Sequence, residues 1–476
     1  MAKAKTRIEK DSMGEMTVPG EALYGASTQR AVLNFPVSGQ PVPAEIVHAF
    51  GLLKAACAQA NKQLKTLPAK TADLIIKASN QVAAGKHDEH FPVDVFQTGS
   101  GTSTNMNANE VISNLCSRSA GQPIGSKKPV HPNDHVNYGQ SSNDTFPTAM
   151  HIAAAVLLKN TLRPALVKLQ KSLARKARAW DKVVKIGRTH LQDATPIRVG
   201  QEFSGYAAQI EFAIERVDQS IVRLGELAIG GTAVGTGLNT HPRFAKIVCQ
   251  KLSATTKCRF SEARNHFEAQ ATRDGVVETS GQLKTIAVSL SKIANDIRWL
   301  GSGPRCGIGE LILPAIQPGS SIMPGKVNPV ICESVVQVAA QVIGNDAAIT
   351  YGGFGGVGSM IDLNVGMPMV ARNLVESIKL LANVSDTFRI QLIDGLEVDR
   401  KRCKELIEQS LAMCTSLAPV IGYDNAAAIA KLAHKQGKTV RQVALEKIEA
   451  GEIKLTAKKL DALLEPMSMT EPGTKK

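Results

Sequence analysis

"GSSIMPGKVNP" (residues 319–329) sets Gly, Ser, Met and Pro in an order that neither a helix nor a strand requires. It contains no carboxylate, histidine or cysteine, so it supplies neither a metal-ligand set nor an ordinary acid–base pair. A P-loop places four residues between its glycines and Ser or Thr after the lysine. Here five residues separate Gly319 from Gly325, and Val327 follows Lys326, so that reading fails twice. What remains is a mobile loop with glycine at both ends, a lysine, and a helix start with Asn328 as cap and Pro329 at the first position. Glu333 falls in the first turns of that helix. Taken alone, the segment reads most plainly as a capped surface loop. A loop of this composition with a buried lysine also suits carbanion chemistry: Lys326 would hold developing negative charge. Ser320 would take a proton where its surroundings stabilise the alkoxide.

Outward from this loop the sequence is helical. One helix is predicted from "KVNP" through "VICESVVQVAAQVIGND", and a second over "RVGQEFSGYAAQIEFAIERVDQSIVRLGELA". A third spans about Phe267 to Leu300. A fourth begins near "SSNDTFPTAM", with Asn143 or Asp144 as cap and Pro147 in the first turn. Several are apolar on more than one face, which belongs inside a bundle. A lone chain has little room to bury four such helices, so a homo-oligomer that shares them is expected. The expected division is a mixed, mostly helical region 1–139, a long-helix region 140–394 and a small helical region 395–476 whose final "EPGTKK" frays. Strand signals are weak and local.

The composition agrees: 43% hydrophobic with only 4% aromatic residues over 476 positions favours helices packed on helices. No run of about 18 apolar residues marks a membrane span. "MAKAKTRIEKDSMGE" lacks the apolar stretch of a secretory leader. The eight cysteines are scattered without a C-x-x-C pair, as suits free thiols in a reducing cytoplasm. The net charge of +14 is spread along the chain rather than gathered in a stripe, which favours an anionic metabolite over nucleic acid.

Four segments are dense in small polar residues: "TGSGTSTNMNANE" (98–110), "HPNDHVNYGQSSND" (131–144), "GRTHLQDATP" (187–196) and the opening loop. Helix ends carry unpaired N–H groups and partial positive charge, so Ser, Thr and Asn arriving there would clamp carboxylates. "GGTAVGTGLN" (230–239) lacks the third glycine of a dinucleotide fingerprint. His190 sits among Thr189, Gln192 and Asp193, where proton transfer is plausible beside the plainer structural role. Glu333 is its nominated partner. His131, Asn133 and Asp134 read equally as cap or turn residues.

In this order the four motifs resemble the fumarase/aspartase superfamily over almost the whole chain, and within it the class II fumarate hydratases. The aspartate ammonia-lyase branch tends to carry Gln in place of His190, Ala in place of Gly325 and "GAGV" in place of "GSGT"; ammonia-lyase activity is the alternative. The resemblance implies a mainly α fold of three domains, with central helices of four subunits in one bundle and active sites drawn from three subunits. It implies that Ser320 removes the C3 proton of L-malate and that His190, supported by Glu333, handles water at C2. Lys326 and Asn328 would bind carboxylate and stabilise an aci-carboxylate, with Ser100, Thr102, Ser141, Ser142, Asn143 and Thr189 completing the clamp. His131, Asn133 and Asp134 match a second anion site. No metal and no cofactor are implied, and neither a membrane nor nucleic acid is an expected partner. A family member that kept the fold and lost the chemistry is a further class, opposed by the presence of Ser320, His190, Lys326 and Glu333. Tyr138 stands where a basic residue is usual. His135 also occurs in the ammonia-lyase branch. "YGGFGGVGSMIDLNVGMPM" (351–369) replaces the usual "NFELNVFKPM", and its glycines predict a looser link between core helices.

Overall fold

The computed structural model describes residues 6–473. The expected fraying therefore falls partly on 474–476, and the start of the leader reading on 1–5, outside the described residues. The fold is mainly α. Four helices dominate it: Val199–Arg223, Asp274–Leu300, Val330–Gly353 and Met367–Phe388. Strands occur only as two-stranded sheets among the described residues. No described helix is long and apolar enough to cross a membrane.

The chain forms two compact units, each assembled from three separate stretches. The first comprises Met1–Pro164, Ile214–Ala287 and Val338–Asn383. Its core is the helix Ala44–Leu64, which packs on Ala69–Ala83, Ser142–Leu157 and Phe244–Thr256. Ile46, Phe50, Leu53 and Cys57 recur at helical spacing and are fully buried. The second unit comprises Ala165–Ala213, Val288–Gln337 and Val384–Lys476. Its C-terminal part closes on Leu417, Ile429, Val443 and Leu460, and it also carries the antiparallel hairpin Val184–Thr189/Gln192–Arg198.

Local chemistry corrects several helix boundaries. Ser141, not Asn143 or Asp144, is the cap of Ser142–Leu157; Asp144 serves as the reciprocal partner of a capping box. Pro147 lies beyond the first turn, inside the helix. The helix expected over Phe267–Leu300 is two: Asn265 caps His266–Ala271, Thr272 is extended, and Asp274–Leu300 follows. The segment 351–369 is closed rather than loose. A short hairpin pairs Ser359–Met360 with Leu363–Asn364, and Asn364 Nδ2 donates to the Gly352 carbonyl at 2.7 Å. Gly358 lies so close that a Cβ there would fall 1.8 Å from that carbonyl oxygen. Seven of the eight cysteines are at least partly buried and all are free; Cys306 is exposed.

Candidate active site

Two helix N-termini meet in the first unit. Thr102 opens the helix Thr102–Ser119 and Ser142 opens Ser142–Leu157. Thr102 Oγ1 lies 2.8 Å from Ser142 Oγ and 2.9 Å from Ser100 Oγ. Ser141 Oγ accepts the Asn143 N–H at 3.2 Å, and Asn143 Nδ2 donates to the Ala233 carbonyl at 2.8 Å. Asp144 locks the arrangement from below by accepting N–H groups of Ser141, Gly230 and Thr232 at 2.9–3.0 Å. Burial pushes this carboxyl up to about 6 against those hydrogen bonds. Five of the expected clamp residues are thus brought together before any ligand arrives. Two helix N-termini and a set of neutral hydroxyl donors favour a small carboxylate there.

Gly101 makes the first of these termini possible. Its φ is +73°, and a Cβ there would stand 2.0 Å from the buried ring of Phe146. Gly101→Ala is expected to destabilise the protein by about 2–4 kcal/mol, combining left-handed strain with overpacking. It should also weaken dicarboxylate binding; urea denaturation and a binding titration check both.

The second unit holds the reactive candidates. His190 and Leu191 form the tip of the 184–198 hairpin with φ of 57° and 60°. Consecutive left-handed residues suit a two-residue hairpin turn, but that turn ordinarily takes Asn and Gly. Keeping His there exposes its ring at the tip, with Thr189 exposed beside it. The base of the hairpin is fixed by buried charge. Lys185 Nζ stands 3.2 Å from Glu202 and 3.3 Å from Glu310, while Arg188 Nη1 donates to Glu310 Oε2 at 2.8 Å. Sequence reading missed Lys185, Glu202 and Glu310, because nothing local shows that they converge.

Ser320 is half-buried, and its Oγ accepts backbone N–H groups of Ile322 (3.2 Å) and Met323 (3.0 Å). Gly319 N–H donates to the Lys326 carbonyl at 2.8 Å, drawing the loop into a ring. Asn328 does not cap the following helix. Its Nδ2 donates to the Gly319 carbonyl at 2.7 Å, and the helix starts at Val330, after Pro329. Lys326 is exposed rather than buried, and so is Glu333. No hydrogen bond or ion pair joins His190 to Glu333 within this chain.

The expected second anion site behaves locally as a helix cap. His131 Nδ1 accepts N–H groups of Asn133 and Asp134, each at 3.2 Å, ahead of the π-helical turn Pro132–Val136. His131 and Asn133 also border a cavity of about 620 Å³ with Lys10 and Lys127, whereas Asp134 faces a different one with Tyr138. One cluster escaped the sequence reading: His87, Glu89 and His90 bring possible metal-ligand atoms within 4.8 Å of one another. The Leu23 N–H points at His90 Nδ1 (3.4 Å), which puts the ring proton on Nε2, toward Glu89. His90 is therefore wired as a structural histidine.

A lyase family profile matches residues 14–344, and a profile for the fumarase C C-terminus matches 413–471. A class II fumarate hydratase of Corynebacterium glutamicum is 54% identical over 470 residues, covering 98% of this chain and 97% of its own. One of Mycobacterium tuberculosis is 54% identical over 469 residues, with 98% and 97% covered. Among solved structures, a class II fumarase of Schistosoma mansoni superposes with a TM-score of 0.93 at 39% identity, covering 98% of this chain and 99% of its own. A fumarate lyase:delta crystallin of Brucella melitensis, bound to cobalt, gives 0.92 at 42% identity over 98% and 100%. With profiles at both ends, relatives along nearly the full length and the same fold in solved structures, the chain belongs to the class II fumarate hydratase family of lyases.

Proposed function

We propose that this protein interconverts fumarate and L-malate. The observation that carries the reading is the pair of helix N-termini joined through Thr102 and Ser142, a clamp for a small dicarboxylate in a chain of this family. Ser320 removes the C3 proton of L-malate. The two backbone N–H groups already aimed at its Oγ stabilise the alkoxide that this role requires. The electron pair left at C3 moves into the adjacent carboxylate, giving an aci-carboxylate that Lys326 and the second amide hydrogen of Asn328 stabilise. His190, with Glu333 as its support, delivers the proton that lets the C2 hydroxyl leave as water. Thr189 joins Ser100, Thr102, Ser141, Ser142 and Asn143 in holding the substrate. No step is assigned to a metal or cofactor. His131, Asn133 and Asp134 are assigned to an accessory anion site.

Within the family reading, the protein acts as a cytoplasmic homotetramer of three-domain subunits whose long helices form a common bundle. Phe212, Val222, Val288, Trp299, Ile343 and Tyr351 lie on those helices and remain 44–77% exposed in one chain, as surfaces awaiting other copies do. Ile322 at the tip of the 319–329 loop is 83% exposed and would be covered when the loop closes over substrate and excludes water.

The test is hydration in D₂O followed by proton NMR. Fumarate should give L-malate carrying one deuterium at a single C3 position. Scrambled label at C3, or turnover only when ammonium is supplied, would discard this mechanism, the latter in favour of an ammonia-lyase.

A further inference from the structure

Every clamp side chain of the first unit is neutral, yet the ligand assigned to it carries two negative charges. Apart from Lys326, assigned above to the substrate carboxylate, a buried cation lies beneath the same helix terminus. Lys54, in the helix Ala44–Leu64, is fully buried and has no carboxylate at ion-pair distance among the described residues. Its ammonium spends its three protons on three amide oxygens: Asn105 Oδ1 at 2.8 Å, Asn137 Oδ1 at 3.0 Å and Gln140 Oε1 at 3.0 Å. This cage is satisfied only by the charged form, since a neutral amine has two protons to give.

The cage is wired to the clamp. Thr145 Oγ1 lies 3.1 Å from Asn105 Oδ1 and 2.8 Å from the carbonyl of Ser141, the cap residue. Asn137 Nδ2 donates to the Gln140 carbonyl, immediately before Ser141. On the same helix terminus Asp144 is also fully buried. A charge in this low-dielectric interior reaches further than one in water. Lys54 without Asp144 would attract a dianion; Asp144 without Lys54 would repel it.

The geometry points to Lys54 as the buried cation of the clamp: a specificity-determining residue that balances Asp144, holds the 137–141 turn in place and biases the site toward doubly charged ligands. The clamp's dicarboxylate role is the reading given above, and the Lys54 claim rests on it. Burial lowers the ammonium to about 8, which leaves it charged at neutral pH. Coulomb energy scales with ligand charge, so losing the cation should cost a monoanion only half the free energy it costs a dianion. In binding constants, that is the square root of the fold-change.

The experiment compares the full-length wild type with Lys54→Met, titrating each with succinate and with monomethyl succinate. Succinate affinity is expected to fall by about 10-fold or more and that of the monoester by about 3-fold. KM for fumarate should follow succinate, with kcat within about threefold. Equal losses for the two probes, or none, would overturn the proposal. Should Lys54→Met fail to fold, Gln140→Glu sets a negative charge in the same cage while keeping an acceptor for the ammonium, and the same dianion-weighted loss is expected. Wild-type protein that binds succinate but leaves fumarate unchanged would sink the hydratase reading alone, and the Lys54 claim would still be decided by the two titrations.

Discussion

Ser320→Ala is expected to lower malate and fumarate turnover by about a thousandfold or more, leaving succinate affinity and the sedimentation profile unchanged. The serine hydroxyl is a weak base by itself, and the role proposed for it depends on the Ile322 and Met323 N–H groups that converge on Oγ. Alanine keeps the glycine-bounded loop but removes the atom proposed to take the proton. Steady-state kinetics beside analytical ultracentrifugation reads both quantities. A mutant with near-normal rate would remove serine from the role of base.

The second large effect belongs to His190. His190→Asn should cost about 100-fold in kcat with a small change in KM, because the role proposed for the ring is to move a proton rather than grip a carboxylate. Asparagine tolerates the left-handed backbone at this turn better than most residues, so the hairpin tip is preserved and the loss reports on proton transfer. Wild-type turnover in this variant would return His190 to a structural role. Because no bond joins it to Glu333 in one chain, a pairing between them requires loop closure or a neighbouring copy.

Much of this was legible in the sequence, for physical reasons. The helix after "KVNP" was visible because proline marks its start and a mostly apolar run, with Glu333, Gln337 and Gln341 spaced along it, carries it forward. The break at Thr272 was not, since neither proline nor glycine stands at Thr272 or Arg273, and an extended Thr272 alone ends the first helix before Asp274 opens the second. In "SSND" all four residues are good caps, so the choice of Ser141 rests on reciprocal hydrogen bonds that spacing does not reveal. The glycines of 351–369 read as slack, yet Gly358 is there because two backbone segments touch.

At the site, Ser100, Thr102, Ser141, Ser142 and Asn143 were named from sequence and stand together. The groups beneath them were missed. Lys54 did leave a signal: it is a lysine between Leu53 and Ala55 on a helix whose neighbours are apolar, and burying it there demands partners. Those partners come from residues 105, 137 and 140, which only the fold brings together. Lys185 and Glu310 were hidden for the same reason.

The measurement that bears most directly on the function is the ultraviolet absorbance of fumarate after L-malate is added to purified protein with excess chelator and no ammonium. Absorbance that rises and halts at the malate–fumarate equilibrium is the predicted result. A flat trace from correctly folded protein would contradict the assignment, and a rise with L-aspartate instead would transfer it to the ammonia-lyases.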